Sequence, residues 1–585
     1  MELHPRQYRL RFLLDVLRAI VWPQLVFNAA LYLAGFHPGA FLRVVASVLA
    51  VPLLGTVRTA ISQRRNKIQA AALGAKEVPC VRGKWPGNLD IVLGFVRSLK
   101  EAYLMQFLDD LFREYDCKTL NMRLLWEDQI WTIDEAHVRY MLAGPGFEWF
   151  HKGYYWQERM ESFLGNGIFN RDKAEWQSQR AIARPWFVKD RISDLNIFDR
   201  HTTTTLALIS EFVDRREAFD AQDLFARFTL DSASEFLFGR CLDTLHGTLP
   251  VAGRAKMGPK GTAIEDAFGS FARAFEDVQV QIARRTRIGK PWPLFELFTD
   301  KTAPSVAVIH DWLRPIVHEA LAKKSAASAE KESGEDSTFL SHLANSTDDP
   351  QDIAYSVLNM LLAGRDTTAS VLSFVVYFLA LHPHVTEKLR AEILQAYGPD
   401  GRPSVEDMKD LKYLRAVLNE TMRLFPPVPM NLRLSDAHPR IFPASGSAPK
   451  YYVAPRTVIL YSIFLVQRRT DLWGADALEF RPERWLEPAT ARLLADHPFA
   501  FTPFHAGPRL CLGQNFAYNE MTFFIVRLLQ RVSGFELAPD AQPEGSLPPA
   551  RWKYGEGRQA VEKIWPASSV TTFIKGGLWV RAVPA

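Results

Sequence analysis

Hydrophobic residues recur every three or four positions through most of the chain after Ile91. Stretches such as FLDDLFREY, DLFARFTLDSASEFLFG and VTEKLRAEILQAYG show this spacing, which is typical of amphipathic helices. Strand-like patterns are few and short. KYYVAPRTVILYSIF predicts a β-rich segment from Lys450 to Phe464, and SVTTFIKGGLWVRAV predicts a terminal hairpin around Gly576 and Gly577. The pattern therefore predicts a mainly α-helical domain with small β-sheets.

Two apolar runs open the chain, at about 19–36 and 40–57, and each is about long enough to cross a bilayer. The connector His37-Pro38-Gly39 has no fixed positive charge, whereas cations flank the pair of runs at Arg6, Arg9, Arg11, Arg18, Arg58, Arg64, Arg65 and Lys67. This asymmetry fits a two-span hairpin with both ends in the cytosol, while one true span plus an interfacial or buried helix fits the hydropathy equally well. We expect a membrane anchor and linker over 1–76 and a cytosol-facing domain over 77–585.

Composition excludes several classes of function. The formal charge of +5 arises from 70 basic and 65 acidic residues without a long basic stripe, so we expect no nucleic-acid partner. The four cysteines, at positions 80, 117, 241 and 511, are far apart in sequence. They form no CxxC pair, so neither a disulfide scaffold nor a zinc site is expected.

The stretch FTPFHAGPRLCLGQNFA, which begins at Phe501, places Cys511 where an amphipathic helix begins. Unpaired N–H groups and the dipole at a helix N-terminus stabilise a thiolate, the form of cysteine that binds a metal. Gly507 permits a bent backbone and Gly513 lets a flat group come close, while Arg509 offers a forked cation suited to a carboxylate. Together these features indicate haem.

The residues Phe504, Gly507, Arg509, Cys511 and Gly513 resemble the haem-binding loop FxxGxRxCxG of the cytochrome P450 family. The resemblance implies the cytochrome P450 fold and haem b (iron protoporphyrin IX), with Cys511 as the axial thiolate ligand of the iron. It further implies that Phe504 packs beside the sulfur and that Arg509 meets a haem propionate. A thiolate ligand favours cleavage of the O–O bond, so the expected activity is that of a monooxygenase.

The helical stretch YSVLNMLLAGRDTTASVLSFVVYFLALHP carries a second pattern. Thr367 follows Ala363 by four residues and Gly364 by three, so all three share one side of the helix and leave a gap beside a hydroxyl. The stretch resembles the oxygen-activation helix AGxDTT of the family. By that resemblance, Thr367 steadies dioxygen and Asp366 helps to relay protons.

Further resemblances supply the remaining site residues. KYLRAVLNETMRLFPPVP contains the ExxR pair Glu420 and Arg423, and RPERW supplies Arg484, which completes a buried structural triad. Trp176 and Arg180 match the WxxxR of the helix over the haem propionates, and Arg433 occupies the matching position after the ExxR helix.

The resemblance also implies partners and a location. Electrons are expected from NADPH-cytochrome P450 reductase, with Arg527 and Arg531 as candidate contacts, and the expected location is the endoplasmic reticulum membrane. AGRDTT and the Cys511 loop look most like the fungal alkane and fatty-acid hydroxylase branch and its basidiomycete relatives. His505 departs from that branch, whose members commonly have Asn there.

The sequence is compatible with two classes of substrate. No acidic residue occurs among the positions expected to face the substrate, which are Met360, Val428 to Asn431, Thr572 and Phe573. We therefore expect a lipophilic guest, with a terpenoid-like scaffold from fungal secondary metabolism favoured over ω-hydroxylation of fatty acids or n-alkanes. An electron-independent isomerase or dehydratase and a non-catalytic haem binder are the alternatives from other classes.

Overall fold

The computed structural model describes residues 4–36, 39–187, 195–258, 269–330 and 338–585. The described α-helices are α1 Tyr8–Val16, α2 Trp22–Leu33, α3 Ala40–Ala72, α4 Leu89–Glu101, α5 Gln106–Glu114, α6 Glu135–Leu142, α7 Gly153–Leu164, α8 Lys173–Ala183, α9 Asn196–Arg215, α10 Ala221–Phe238, α11 Gly269–Ile288, α12 Ala303–Glu330, α13 Phe339–Ser346, α14 Pro350–Leu381, α15 Pro383–Tyr397, α16 Lys412–Leu424, α17 Ile463–Val466, α18 Thr470–Trp473, α19 Pro488–Asp496, α20 Gln514–Arg531 and α21 Arg558–Val561. The predicted mainly helical fold is confirmed.

The described strands are short. They are β1 Lys76–Glu77, β2 Thr119–Asn121, β3 Gln129–Thr132, β4 Phe150–His151, β5 Phe219–Asp220, β6 Asn431–Ser435, β7 Arg440–Phe442, β8 Tyr451–Val453, β9 Val458–Tyr461, β10 Val532–Leu537, β11 Pro566–Ser568, β12 Thr572–Ile574 and β13 Trp579–Pro584. The β-rich segment predicted from Lys450 is confirmed as β8 and β9, although its end already forms α17.

The chain divides into two compact units. The first comprises Met1–Glu161, Arg285–Asp300 and Met430–Ser462. It contains a five-stranded sheet in the order β2-β3-β9-β6-β4, in which only the β3–β9 pair is parallel, and a three-stranded sheet in the order β1-β8-β7. The segment that follows α3, at the end of the predicted anchor and linker region, enters this second sheet at once through β1.

The second unit is built around the long helix α14 and comprises Ser162–Arg284, Lys301–Pro429 and Ile463–Ala585. Asp349 caps α14 by accepting a hydrogen bond from the N–H of Gln351, and Pro350 occupies the first turn, where its missing N–H does no harm. The helix ends at Leu381 because Pro383 disfavours helical geometry in the residue before it. α14 is buried along nearly its whole length, as its apolar sequence predicts, and packs most extensively against α10.

The predicted terminal hairpin is wrong. β12 pairs with β11, whereas β13 pairs with β10 and β5, so the two strands that flank the glycine turn belong to different sheets. Gly576 and Gly577 both have positive φ, at 79° and 86°. A Cβ on Gly577 would lie 2.1 Å from the carboxylate of Asp220, so the turn is packed against β5 and redirects the chain.

Two helical stretches near the N-terminus, Pro5–Leu33 and Ala40–Ala72, are long and apolar enough to cross a membrane. The side-chain amide of Gln24 in α2 donates to the carbonyl of Ser47 in α3, at 2.7 Å, so the two helices touch. A bent pair, α14 with α15, also meets the apolar criterion, but α14 lies in the core of the second unit. His37 and Pro38 of the connector lie outside the described residues.

Candidate functional site

The Cys511 loop lies in the second unit and folds as a bent turn before α20. The N–H of Cys511 donates to the carbonyl of Phe504 at 3.1 Å, and the N–H of Leu510 donates to that of Gly507 at 2.9 Å. Gly507 and His505 have positive φ, of 68° and 60°. Asn and His are enriched in this left-handed region, so the backbone conformation explains why His can stand where the resembled branch has Asn.

Opposing effects act on the thiol of Cys511, and burial is the largest of them. The side chain is accessible to solvent, yet protein surrounds it closely enough that burial raises the pKa of the thiol. The N–H of Gly513 and the positive charge of Arg180 both lower the pKa of that thiol. A hydrogen bond and a cation directed at one sulfur fit the donor set of a thiolate that binds iron.

Two arginines flank the ring of Trp176, which is buried on α8. The guanidinium carbon of Arg509 lies 4.4 Å from the ring centroid and that of Arg180 lies 5.8 Å away. The Nη2 atom of Arg509 also donates to Asp172 Oδ1 at 2.8 Å and to the carbonyl of Arg171 at 2.9 Å. The structure thus brings together Trp176, Arg180, Arg509 and Cys511, but it gives Arg509 a carboxylate partner from the protein that the sequence did not indicate.

Arg433 lies in the first unit, on β6. It is 2% exposed, donates from Nη1 to the carbonyl of Leu432 at 2.8 Å, and lies 5.7 Å from the ring centroid of Tyr461. The alternative to a propionate contact is that Arg433 is an ordinary surface residue. Its burial excludes that alternative.

One face of α14 is open where the sequence predicted a gap. Ala363, Gly364 and Thr367 are only half-buried, whereas their helix neighbours Leu362, Arg365 and Thr368 are buried. Thr367 Oγ1 donates to the carbonyl of Ala363 at 2.6 Å, which holds the hydroxyl along this face. The helix is continuous through the small residues, so the gap comes from missing side chains and not from a broken backbone.

Asp366 belongs to a buried ion network on another side of α14. Its Oδ1 lies 3.2 Å from Arg365 Nη1, and Arg365 Nη2 lies 3.1 Å from Glu276 Oε1. The three side chains are each less than a tenth exposed. The sequence analysis did not predict a role for Arg365 or Glu276. The adjacent charges of Arg365 and Asp366, inside an otherwise apolar helix, were a usable signal for the first of them.

Glu420, Arg423 and Arg484 form the predicted triad. Arg423 binds Glu420 through two hydrogen bonds of 2.8 and 2.9 Å, and Arg484 Nε donates to Glu420 Oε1 at 2.9 Å. Trp485 and the N–H of Arg481 also donate to this carboxylate, at 2.9 and 3.0 Å. Burial alone would raise the pKa of Glu420, but Arg423 and Arg484 hold that pKa below its ordinary value.

Gln467 connects this triad to the Cys511 loop. Its carbonyl accepts a hydrogen bond from Arg423 Nη1 at 3.0 Å, and its side-chain amide donates to the carbonyls of Met422 and Arg423. Its side-chain oxygen accepts from the N–H of Thr502 at 3.0 Å, just before the loop. No sequence pattern pointed to Gln467, because a single Gln matches no motif.

Glu520 on α20 is a second residue that the sequence analysis missed. It is 1% exposed, and neither carboxyl oxygen has a hydrogen bond of normal geometry within the described ranges. The hydroxyls of Thr368 and Ser232 are the polar groups that face it. Burial raises the pKa of Glu520 to about 8, so the side chain is a neutral carboxylic acid at neutral pH.

Two other residues singled out from the sequence, Arg527 and Thr572, form hydrogen bonds within the protein. Arg527 is 8% exposed and bonds to Gln530 at 2.9 Å, so little of its side chain is available for the predicted contact with a reductase. Thr572, expected to face the substrate, donates its hydroxyl to the carbonyl of Pro426 at 2.8 Å.

Comparison with known proteins places these features in context. The sequence matches the family Cytochrome P450 over residues 88–551. It is similar to cytochrome P450 monooxygenase himC of Aspergillus japonicus, with 39% identity over 467 residues that cover 78% of each chain. It is also similar to cytochrome P450 monooxygenase g430 of a Fusarium species, with 33% identity over 513 residues covering 85% of this chain and 86% of the relative. Cytochrome P450 52E1 of Candida apicola is 33% identical over 470 residues, which cover 79% of this chain and 86% of the relative.

Replacement of Glu420 by Gln tests the triad. Glu420→Gln removes the charge that both arginines share: it leaves buried Arg423 without a carboxylate partner and Arg484 with Asp476 alone, so we expect destabilisation on the order of 3–5 kcal/mol. The measurement is the thermal midpoint of the purified protein together with the yield of soluble, haem-loaded protein. Glu211→Gln is the matched control, because Glu211 pairs with Arg215 at the surface, where such pairs contribute little. Equal midpoints for the two variants would contradict the assigned role of Glu420.

Replacement of Glu520 by Gln tests its protonation. Because the folded-state pKa of about 8 lies above the ordinary value of 4.5, the stability due to this group is complete below the ordinary pKa and is lost as pH rises through about 8. We expect the thermal midpoint of the unmodified protein to fall across this interval and that of Glu520→Gln to fall less, since Gln keeps the shape but cannot ionise. Glu211→Gln should retain the pH dependence of the unmodified protein; parallel profiles for Glu520→Gln and the unmodified protein would show that Glu520 is ionised throughout.

Proposed function

The chain belongs to the cytochrome P450 family, and on that premise we propose that it inserts one oxygen atom into a C–H bond of a lipophilic small molecule. Membership establishes the fold, a monooxygenase activity and a haem cofactor bound through a cysteine thiolate. We assign Cys511 as that thiolate. The observation that carries the assignment is the hydrogen bond from Gly513 and the charge of Arg180 directed at one sulfur at the start of α20.

The haem, when bound, supplies the oxidant; the residues of the chain hold and surround it. Cys511 would provide the sulfur that binds the iron, and Phe504, Gly507 and Gly513 would shape its loop. Trp176, Arg180, Arg433 and Arg509 are proposed to meet the propionates. Glu420, Arg423 and Arg484 keep the loop in place through Gln467.

Thr367 and Asp366 are proposed as the groups that handle oxygen and protons. The Thr367 hydroxyl lies along the half-buried face with Ala363 and Gly364, where its lone pairs can accept a hydrogen bond while its proton is held by the carbonyl of Ala363. Asp366 lies one residue before Thr367 but is tied to Arg365, so proton relay through it requires that this pair opens. The overall reaction consumes O2, the substrate and NADPH with a proton, and yields the oxidised product, water and NADP+.

We propose NADPH-cytochrome P450 reductase as the electron donor and a terpenoid-like scaffold from fungal secondary metabolism as the substrate class. The apolar character of Met360 and Phe573, and the lack of any acidic side chain among the positions expected to face the substrate, support a neutral, lipophilic guest. Similarity to proteins named cytochrome P450 52, together with the AGRDTT and Cys-loop resemblance, keeps ω-hydroxylation of fatty acids or n-alkanes as the second candidate.

The test of this function is expression with the reductase and a mixed panel of terpenes, fatty acids and n-alkanes. We expect NADPH-dependent products heavier than a terpene substrate by one oxygen atom, read by mass spectrometry. Products from fatty acids alone would favour the second candidate, and products formed without NADPH and reductase would contradict a monooxygenase reaction.

Two variants accompany this assay. Cys511→Ala should lose both products and the thiolate-type spectral band seen with carbon monoxide on reduction, and retained activity would mean that another residue binds the iron. Thr367→Ala should keep the spectral band but consume more NADPH for each molecule of product, because the hydroxyl that handles protons is gone.

We also propose that the two N-terminal apolar helices form a hairpin in the endoplasmic reticulum membrane, with the catalytic domain in the cytosol. Residues that precede the first apolar run, at about 19–36, contact residues of the same unit that follow α3 in sequence. Arg11 Nη1 lies 2.8 Å from Glu158 Oε1, and the rings of Tyr8 and Trp292 are 4.5 Å apart. A single crossing would place these partners on opposite sides of the bilayer, whereas two crossings place them on the same side.

Accessibility of the N-terminus tests this topology. In intact microsomes, we expect a peptide tag before Met1 to be cut by added protease, because two crossings return the chain to the cytosolic side. A glycosylation acceptor inserted between α2 and α3 should be modified in the same preparation. A protected N-terminal tag would show a single span.

A further inference from the structure

A polar pocket lies within the first unit, where the last third of α3 meets the segment that follows it. Its volume is about 840 Å³. α3 contributes Ala60, Gln63, Arg64 and Lys67 to the lining, and these positions share one face of the helix. The other wall comes from residues 77–83, which include Arg82, and from Arg123 with its neighbours.

The lining has an excess of positive charge that the protein does not neutralise. Arg123 is paired with Asp128, at 2.7 Å, so this pair adds no net charge. Arg64, Lys67 and Arg82 are exposed and form no ion pair with any other residue in the described part of the chain. Glu77 is the remaining carboxylate of the lining. Three unpaired cations against one carboxylate favour an anionic ligand.

Asn66 adds an independent sign of a ligand. It lines the same pocket and is only 6% exposed, yet its side-chain oxygen accepts no hydrogen bond from the residues that the structure describes. A buried amide oxygen without a donor is unfavourable. A hydroxyl group of a ligand would satisfy it, so the pocket suits a molecule that carries both anionic oxygens and hydroxyls.

The position of the pocket along α3 relates it to the membrane. The apolar run ends at Val57, and at 1.5 Å per residue Ala60 lies about 5 Å beyond that end, Arg64 about 10 Å and Lys67 about 15 Å. The headgroup layer on each side of a bilayer is on the order of 5–8 Å thick. The pocket therefore begins within this layer and continues outward, where an extended, phosphorylated headgroup would project.

We propose that this pocket binds the phosphorylated headgroup of a phosphoinositide, an anionic membrane lipid that carries phosphate and hydroxyl groups on one ring. Arg64, Lys67 and Arg82 bind the phosphate, and Asn66 accepts a hydroxyl. The proposal depends on the membrane anchor of the proposed function but not on the assignment of the oxidation reaction. Arg58 and Arg65 lie on the same helix but do not line the pocket. If basic residues only attracted the protein to an anionic surface, replacing Arg58 and Arg65 would weaken lipid binding as much as replacing Arg64 and Lys67.

The test uses the full-length, haem-loaded protein in detergent micelles and measures binding of phosphatidylinositol 4-phosphate by native mass spectrometry. We expect Arg64→Gln with Lys67→Gln to weaken binding about 25-fold, at roughly five-fold for each lost charge near a membrane surface. Arg58→Gln with Arg65→Gln removes the same charge from the same helix and is the matched control, with an expected change of less than about three-fold. Arg82→Gln, on the opposite wall, should weaken binding about five-fold and serves if the double variant does not fold.

Competitors distinguish the lipid from a free anion. Phosphatidylcholine and inorganic phosphate should not displace the lipid, and the soluble headgroup inositol 1,4-bisphosphate should. Equal losses in the two double variants, or displacement by inorganic phosphate, would overturn the proposal. The carbon monoxide spectrum of each preparation reports the haem separately, so its loss would count against the proposed function and leave the lipid measurement readable.

Discussion

The hydrogen bonds to the carboxylate of Glu420 are the interaction on which the position of the Cys511 loop depends. The carboxylate accepts hydrogen bonds from two buried arginines, from the half-buried indole of Trp485 and from the backbone N–H of Arg481. Arg423 also binds the carbonyls of Gln467, Ala477 and Glu479, so one guanidinium connects α16 to two loops far away in sequence. Removing a buried charge from such a network leaves its partners uncompensated, which is why the cost falls on the whole fold.

The hydrogen bonds of this network also position the Cys511 loop. Gln467 lies between Arg423 and Thr502, and Tyr518 donates to Asn419 on α16 at 2.7 Å while its ring contacts Phe504 at 5.2 Å. The loop is thus held at its beginning by an amide and at its far side by an aromatic contact. A sulfur proposed to bind iron needs such support, because a turn with residues of positive φ at positions 505 and 507 would otherwise be free to relax.

Sequence patterns predicted the local parts of this arrangement well and the long-range parts poorly. Cys511 at the start of a helix, the shared face of Ala363, Gly364 and Thr367, and the pairing of Glu420 with Arg423 all follow from spacing within a few residues. The pairing of Arg509 with Asp172 and the link through Gln467 join positions hundreds or tens of residues apart, and no spacing rule encodes them. The prediction of a terminal hairpin was wrong for the same reason, because β13 pairs with the distant strands β10 and β5 and not with its sequence neighbour β12.

Glu420 and Glu520 show why burial alone does not decide the state of a carboxyl group. Both are almost completely buried in the second unit, and burial disfavours the ionised form of each. Around Glu420, two guanidinium groups outweigh that effect and lower the pKa, whereas around Glu520 two hydroxyls do not, and the pKa rises to about 8. Each oxygen of Glu420 therefore needs its cation, while Glu520 needs its proton. The same residue type can act as an anionic brace in one place and as a neutral acid beside Thr368 in another, and neighbouring charge decides which.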